Sequence, residues 1–211
     1  MLISRGREKV IKVFYDDPYI ELYVKEVAEL STSAFARVHQ YLNEYSSMGM
    51  LHRRGTKRRI YFRANLDEPK LLKIFEYLEV LRREDFFSRN KRFERVLNRF
   101  LQTLISEAEH DILLVGLFGS LARGEWTKES DIDILVVTSN SFGKDEIIPL
   151  IERAKRNISG LYHLAPVSLT VSRYKESAIQ NNTFFQNFWK DRIILYNEFM
   201  FWQLIPKRRV E

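Results

Sequence analysis

Residues 117–137 read LFGSLARGEWTKESDIDILVV. One apolar, strand-like run ends in a Gly-Ser pair, Gly119 and Ser120, and a second opens with two aspartates, Asp131 and Asp133. Aspartate is depleted in strands, and a spacing of two sends both carboxylates to one face, roughly 7 Å apart at the strand rise. Ile132, Ile134 and Val136 alternate to the other face and read as core. Left alone, the two carboxylates would repel and raise each other's pKa. The pattern requires a compensating cation.

A divalent metal removes the conflict. Mg²⁺ prefers oxygen ligands and usually takes one or two carboxylates together with phosphate oxygens. Those phosphates need donors of their own, which Gly119-Ser120 can supply. Glycine lets the backbone approach a phosphate closely, serine adds a hydroxyl, and a short helix is expected to start over SLAR. Arg123 lies one turn further on, and Gly124 permits the return toward the aspartates. Either feature alone is commonplace, a turn in one case and solvated strand residues in the other. Occurring in order, eleven residues from Ser120 to Asp131 and each beside an apolar strand, they point to a phosphate-and-metal site.

The 211-residue chain has room for one large domain or two small ones, and 15 Phe, 10 Tyr and 3 Trp allow a substantial core. The absence of cysteine excludes disulfides, thiolate catalysis and cysteine-ligated metal sites. The opening residues MLISRGREKV lack the apolar core of a leader, and no apolar run nears the ~20 residues of a membrane span, so a cytoplasmic location without membrane partners is expected. The net charge of +6 is unevenly placed. Residues 1–66 hold 12 Lys/Arg against 7 Asp/Glu, whereas residues 67–211 hold 22 against 21. That asymmetry suggests two domains with different partners.

Periodicity places short helices over 4–14 and 24–30, and a third to about Ser47 with Ala34, Val38, Leu42 and Tyr45 as its buried stripe. Ser31-Thr32-Ser33 offers hydroxyl caps for that helix, and Gly49 ends it. MLHRRGTKRRIYFRAN then reads as two strands around a turn at Gly55-Thr56. Two helices follow Asp67-Glu68-Pro69, broken near 86–90, and beyond them strands and helices alternate over 112–197. Phe184, Phe185, Phe188 and Trp189 read as a core stripe. The basic span 89–99 reads as a solvated helix face or an extension of a nucleic-acid path.

GSLARGEWTKESDID resembles the signature of the polymerase-beta-type nucleotidyltransferase superfamily in its minimal form, and FFQNFWKDRIILYN is similar to the closing helix and strand of such members. The resemblance covers about residues 110–197. It implies that Gly119 and Ser120, assisted by Arg123 and Ser130, bind the phosphates of a nucleoside triphosphate, with ATP as the expected one. It makes Asp131 and Asp133 the catalytic, metal-binding pair for Mg²⁺ or Mn²⁺. The implied reaction is in-line attack of an acceptor hydroxyl on the α-phosphorus with loss of pyrophosphate. Members commonly carry a third carboxylate on a following strand. The corresponding strand here is PVSLTV, residues 166–171, whose outward face is expected to show Ser168 and Thr170. No acid lies between Glu152 and Glu176, and Glu176 reads as a surface residue.

VKEVAELSTSAFARVHQYLNEYSSMGMLHRRGTKRRIYFRAN resembles a winged helix-turn-helix. The resemblance makes residues 33–47 a DNA-reading helix, with Ser33, Arg37 and Gln40 outward. Arg53, Arg54, Lys57, Arg58 and Arg59 would meet phosphates from the hairpin, and four such contacts imply a salt slope of about −3.6.

The expected architecture is therefore a two-domain α+β and α/β chain. A winged helix-turn-helix spans 1–66, a helical linker 67–109, and a nucleotidyltransferase-like domain with a small mixed sheet 110–211. Two functions follow: transfer of a nucleotidyl group to an unidentified acceptor under DNA-linked control, or a DNA-binding regulator whose second domain senses nucleotide or dimerises. Double-stranded DNA and a nucleoside triphosphate are the expected partners. A homodimer fits palindromic reading, and a separate helical, toxin-like protein is admitted by the family resemblance.

Overall fold

Three amphipathic helices lead the chain, α1 (Arg5–Asp16), α2 (Val24–Leu30) and α3 (Phe35–Ser47). The computed structural model describes residues 4–56, 59–158 and 162–207, which fall into two units, one running to Leu78 and including Lys207, the other Glu79–Pro206.

In the first unit α1 buries Val10, Ile11, Phe14 and Tyr15, and α3 buries Val38, Leu42 and Tyr45. The Tyr45 hydroxyl donates to the Arg7 carbonyl at 3.1 Å, and burial pushes its phenol up to about 12. Helix α3 closes as expected. Gly49 takes φ +76°, its N–H bonds to the Ser46 carbonyl and the Met50 N–H to the Tyr45 carbonyl, so two otherwise orphaned carbonyls are satisfied. The start of α3 differs from the sequence reading. Its N-cap is Ala34, which makes no side-chain cap, and Ala34 is exposed rather than part of the buried stripe. Of the three hydroxyls, Ser33 Oγ donates back to the Ser31 carbonyl, and the Thr32 backbone turns the chain at φ +49°. Ser33 therefore precedes the helix and is half-buried.

Strands β1 (Leu22–Tyr23), β2 (Leu51–Thr56) and β3 (Arg59–Ala64) form an antiparallel sheet in the order β1-β3-β2. The expected turn at Gly55-Thr56 is a misreading. Both residues lie in β2, opposite Ile60 and Arg59, so the connection comes later. Gly55 is needed there for a different reason: a Cβ would come within 2.2 Å of the Arg59 carbonyl oxygen. Lys57 and Arg58 lie outside the described residues.

Helices α4 (Pro69–Arg89) and α5 (Lys91–Ala108) break at Asn90, inside the expected interval. The division between units falls within α4. Its first turns belong with the first unit, where Phe75 packs edge-on to Tyr15 at 5.7 Å.

The second unit is built on a four-stranded mixed sheet, order β6-β5-β4-β7, of β4 (Ile112–Phe118), β5 (Ile132–Thr138), β6 (Leu164–Thr170) and β7 (Ile193–Tyr196). Strands β4 and β5 are antiparallel and β5 and β6 parallel, joined by α7 (Lys144–Arg156) as the crossover. One face buries Ile132, Ile134 and Val136 under α5 and α7. The other carries α8 (Val171–Gln180), α9 (Thr183–Asp191) and α10 (Glu198–Leu204) with an aromatic cluster. Phe185 and Phe188 are buried in it, as the stripe predicts, and Gly116 makes room, since a Cβ there would sit 2.8 Å from the Phe188 ring. Helices α8 and α10 were not legible in the sequence. Each follows directly on a strand, without a Gly/Pro boundary to separate the two periodicities.

Buried beside this cluster is one ion pair, Arg192 Nε to Glu79 Oε1 at 2.9 Å, with side chains 2% and 0% exposed. The guanidinium also donates to the Trp189 carbonyl at 2.7 Å and lies 4.1 Å from the Trp189 ring centroid. Removing one buried partner strands the other charge. Glu79→Ala is expected to cost about 3–5 kcal/mol, and Glu79→Leu with Arg192→Met to recover most of it. All three tryptophans, Trp126, Trp189 and Trp202, lie in the second unit, so urea unfolding followed by tryptophan fluorescence reads that unit alone.

Candidate functional site

Strand pairing assembles the site. Phe118, the last residue of β4, stands opposite Asp133 in β5, so the turn after β4 is delivered to the aspartates. That turn is α6 (Gly119–Arg123). Gly119 takes φ +75°, and a Cβ built on it would fall 2.1 Å from Asp133 Oδ2. Glycine is thus required twice, for the left-handed backbone and for the carboxylate that occupies the space of its missing side chain. Ser120 is half-buried beside it, and Gly124 closes α6 in a left-handed conformation.

Asp131 is exposed just ahead of β5, and Asp133 is half-buried within it. Burial first, and the Asp131 charge second, push the Asp133 carboxyl above the ordinary carboxylate range, while Arg123 pulls it partly back. The structure thus retains the electrostatic conflict read from the sequence. Two carboxylates, one raised by its neighbour and pressed against a glycine turn, are a donor set that fits a hard divalent cation completing its shell with phosphate oxygens. Among the described residues no group of three or more His, Cys, Asp or Glu could hold a metal by itself.

Ser130 and Arg123 have local partners. Ser130 Oγ accepts from the Thr127 N–H at 3.1 Å, and its carbonyl accepts from Trp126 Nε1 at 3.0 Å, which fixes the turn leading into Asp131. Arg123 pairs with Glu125 at 2.7 Å and with Asp191, and these partners raise its affinity for its own proton. Asp191 was not singled out in the sequence, although a signal existed. It is an acid in the last turn of a helix, where the helix dipole disfavours negative charge, so a cation partner was to be expected.

The third-carboxylate position needs correction. Ser168 and Thr170 pair with Val136 and Thr138, on the face turned toward α7, not on the aspartate face. Opposite Asp133 stands Ala165, followed on that face by Val167 and Leu169. Parallel register decides this, because paired residues share a face. Strand β6 therefore offers the aspartates no carboxylate. Glu176 is exposed on α8 and accepts from Gln180 at 3.1 Å.

In the first unit, Arg37 and Gln40 are exposed on α3, with Gln40 donating to Glu44 at 2.9 Å. Arg53 and Arg54 are exposed on β2, and neither pairs with an acid among the described residues. Arg59 lies 4.8 Å over the Tyr23 ring.

Comparison with known proteins bears on the second unit. Residues 95–196 match the family model described as a nucleotidyltransferase domain. Over 57 residues the chain is 44% identical to a Methanocaldococcus jannaschii protein named "Putative protein adenylyltransferase". That match takes in 27% of this chain and 55% of the relative, so the chain spans about half the relative's length. No solved structure matches. Among the described residues no helix is long and apolar enough to cross a membrane.

Two outcomes follow from the geometry. Gly119→Ala is expected to displace the Asp133 carboxylate and to destabilise the second unit by about 1–3 kcal/mol, read by tryptophan-detected unfolding. For Asp133 a raised native pKa means that the native state holds more protons than the unfolded one between the ordinary and the raised value. Stability of the metal-free protein should therefore fall as pH rises through that window. Asp133→Asn should melt higher than wild type above the window, and the gap should close below it, as seen in thermal melts across pH.

Proposed function

We propose that the second unit binds a magnesium–nucleoside triphosphate and transfers its nucleotidyl group to a hydroxyl acceptor. The observation that carries this reading is the left-handed Gly119 seated against Asp133, with Asp131 two residues away, inside the segment that matches the nucleotidyltransferase model.

Asp131 and Asp133 would hold the divalent metal, which when bound supplies charge neutralisation and a template for the triphosphate oxygens. The Gly119-Ser120 backbone and the Ser120 hydroxyl orient the β- and γ-phosphates. Arg123, held by Asp191 and Glu125, fixes α6 and lends positive charge to the aspartates. The acceptor oxygen bonds to the α-phosphorus as the bond to the β-phosphate oxygen breaks, so pyrophosphate leaves. With Ala165 and Val167 on the β6 face, the acceptor's proton passes to a base outside that strand, on the acceptor or in solvent. The name of the archaeal relative, a protein adenylyltransferase, supports ATP as the triphosphate and a protein as the acceptor.

For the first unit we propose a winged helix-turn-helix that binds double-stranded DNA, supported by the three helices, the β1-β3-β2 sheet and the exposed Arg53 and Arg54, which pair with no acid among the described residues. A second reading, a DNA-binding regulator that senses nucleotide without transferring it, is favoured by one observation, the carboxylate-free β6 face.

Calorimetry of ATP with and without Mg²⁺ tests the first proposal. Binding should require Mg²⁺ and be lost in Asp131→Asn/Asp133→Asn, and equal binding by the double variant would overturn the assignment. Transfer is distinguished from sensing by label reaching protein from ATP labelled at the α- but not the γ-phosphate. For DNA, Arg53→Ala/Arg54→Ala should weaken affinity across sequences and make the salt slope shallower by about 1.8. An unchanged slope would remove the wing.

A further inference from the structure

A cavity lies at the far end of the same sheet. Asp133 stands near the start of β5, and Thr138 ends it, roughly 17 Å further along at the strand rise. Here the parallel neighbours β5 and β6 part company. The chain leaves β5 into α7, whose Ile147, Leu150 and Ile151 pack on the core under α5, and leaves β6 into α8 on the opposite face, where Tyr174 meets Phe185 and Phe188. Neighbouring parallel strands whose connections turn to opposite faces leave a crevice outside their carboxyl ends, the place where open α/β sheets bind ligands.

The crevice is present as a cavity of about 180 Å³. Its lining includes three hydroxyl residues, Thr138, Ser168 and Thr170, and two cationic ones, Lys144 from α7 and Arg173 from α8. Neither cation pairs with an acid among the described residues, whereas Arg83, Arg123 and Arg192 of the same unit do. The Thr138 hydroxyl donates to the Phe142 carbonyl at 2.9 Å, which ties down the loop after β5. Asn140 Oδ1 accepts from the Ser172 N–H at 3.1 Å, which ties that loop to the start of α8. Ser168 and Thr170 are half-buried, and no carboxylate of the described residues lines the cavity; Asp145 and Glu146 are exposed on α7, with the Glu146 carboxylate 3.4 Å from the place of a Cβ on Gly143. Hydroxyls and two cations that pair with no acid among the described residues, lining one crevice, are a donor set for a tetrahedral oxyanion.

We propose that this crevice is a separate phosphate-binding site, independent of the aspartate site, in which Lys144 and Arg173 hold a phosphate group and Ser168 and Thr170 donate to it. The group is inorganic phosphate or the phosphate of a mononucleotide. The cavity's size admits the phosphate, and the two sources differ in what extends beyond it.

Heteronuclear NMR of the full chain, titrated with inorganic phosphate and separately with AMP without Mg²⁺, tests this. Amides at 138–144 and 168–173 should shift saturably with at least one probe, and equally in Asp131→Asn/Asp133→Asn, which separates this site from the nucleotide site. Lys144→Gln/Arg173→Gln, at two exposed positions that leave the core intact, should weaken the response tenfold or more. Response to phosphate identifies a free-anion site, and response to AMP alone a nucleotide-phosphate site. Absence of saturable shifts there with both probes overturns the proposal. So does a response that survives in Lys144→Gln/Arg173→Gln.

Discussion

The pairing of β4 with β5 is the constraint on which the second unit depends. It sets Phe118 opposite Asp133 and so fixes where the chain turns after β4. That turn can lie flat against the carboxylate only because residue 119 has no Cβ. A one-residue slip would carry Asp133 to the face packed under α5 and α7 and turn Ile132 and Ile134 out of the core. The apolar face of β5 thus enforces the position of its charged one. Hydrophobic burial specifies the register, and the register places the chemistry.

Around that pair the charges are arranged in two different ways. Arg192 and Glu79 are enclosed among Trp189, Phe201 and Trp202, where a paired charge is tolerated because both halves are desolvated together. The adjacent residue, Asp191, turns instead to Arg123 on α6. The end of α9 therefore sends one acid to the α6 turn and one base to the aromatic cluster. Asp131 and Asp133 are the exception, two acids without an ion pair among the described residues, Asp133 feeling an arginine already held by Asp191 and Glu125. An electrostatic conflict left in place is a mark of function.

The two ends of β5 differ in kind. Its amino end carries carboxylates, which repel anions. Its carboxyl end is ringed by hydroxyls and cations and attracts them directly. The sheet topology accounts for both. The antiparallel partner β4 brings a tight turn to the first, and the parallel partner β6 opens a crevice at the second.

How much was legible in advance follows from how local each determinant is. The Gly-Ser turn, the Asp-x-Asp spacing, the break near Asn90, the Gly49 helix end and the aromatic stripe of α9 are set by residues within a few positions of one another, so sequence by itself determined them. It misplaced the cap of α3 and the hairpin turn because Ser33 and Gly55 answer to local contacts that compete with the expected one: Ser33 Oγ with the Ser31 carbonyl, Gly55 with the Arg59 carbonyl. Helices α8 and α10, the Asp191–Arg123 pair and the face shown by Ser168 and Thr170 were decided only by tertiary structure. Each depends on which strand lies beside which and in what register, and that follows from the burial of side chains dozens of residues apart rather than from any short pattern.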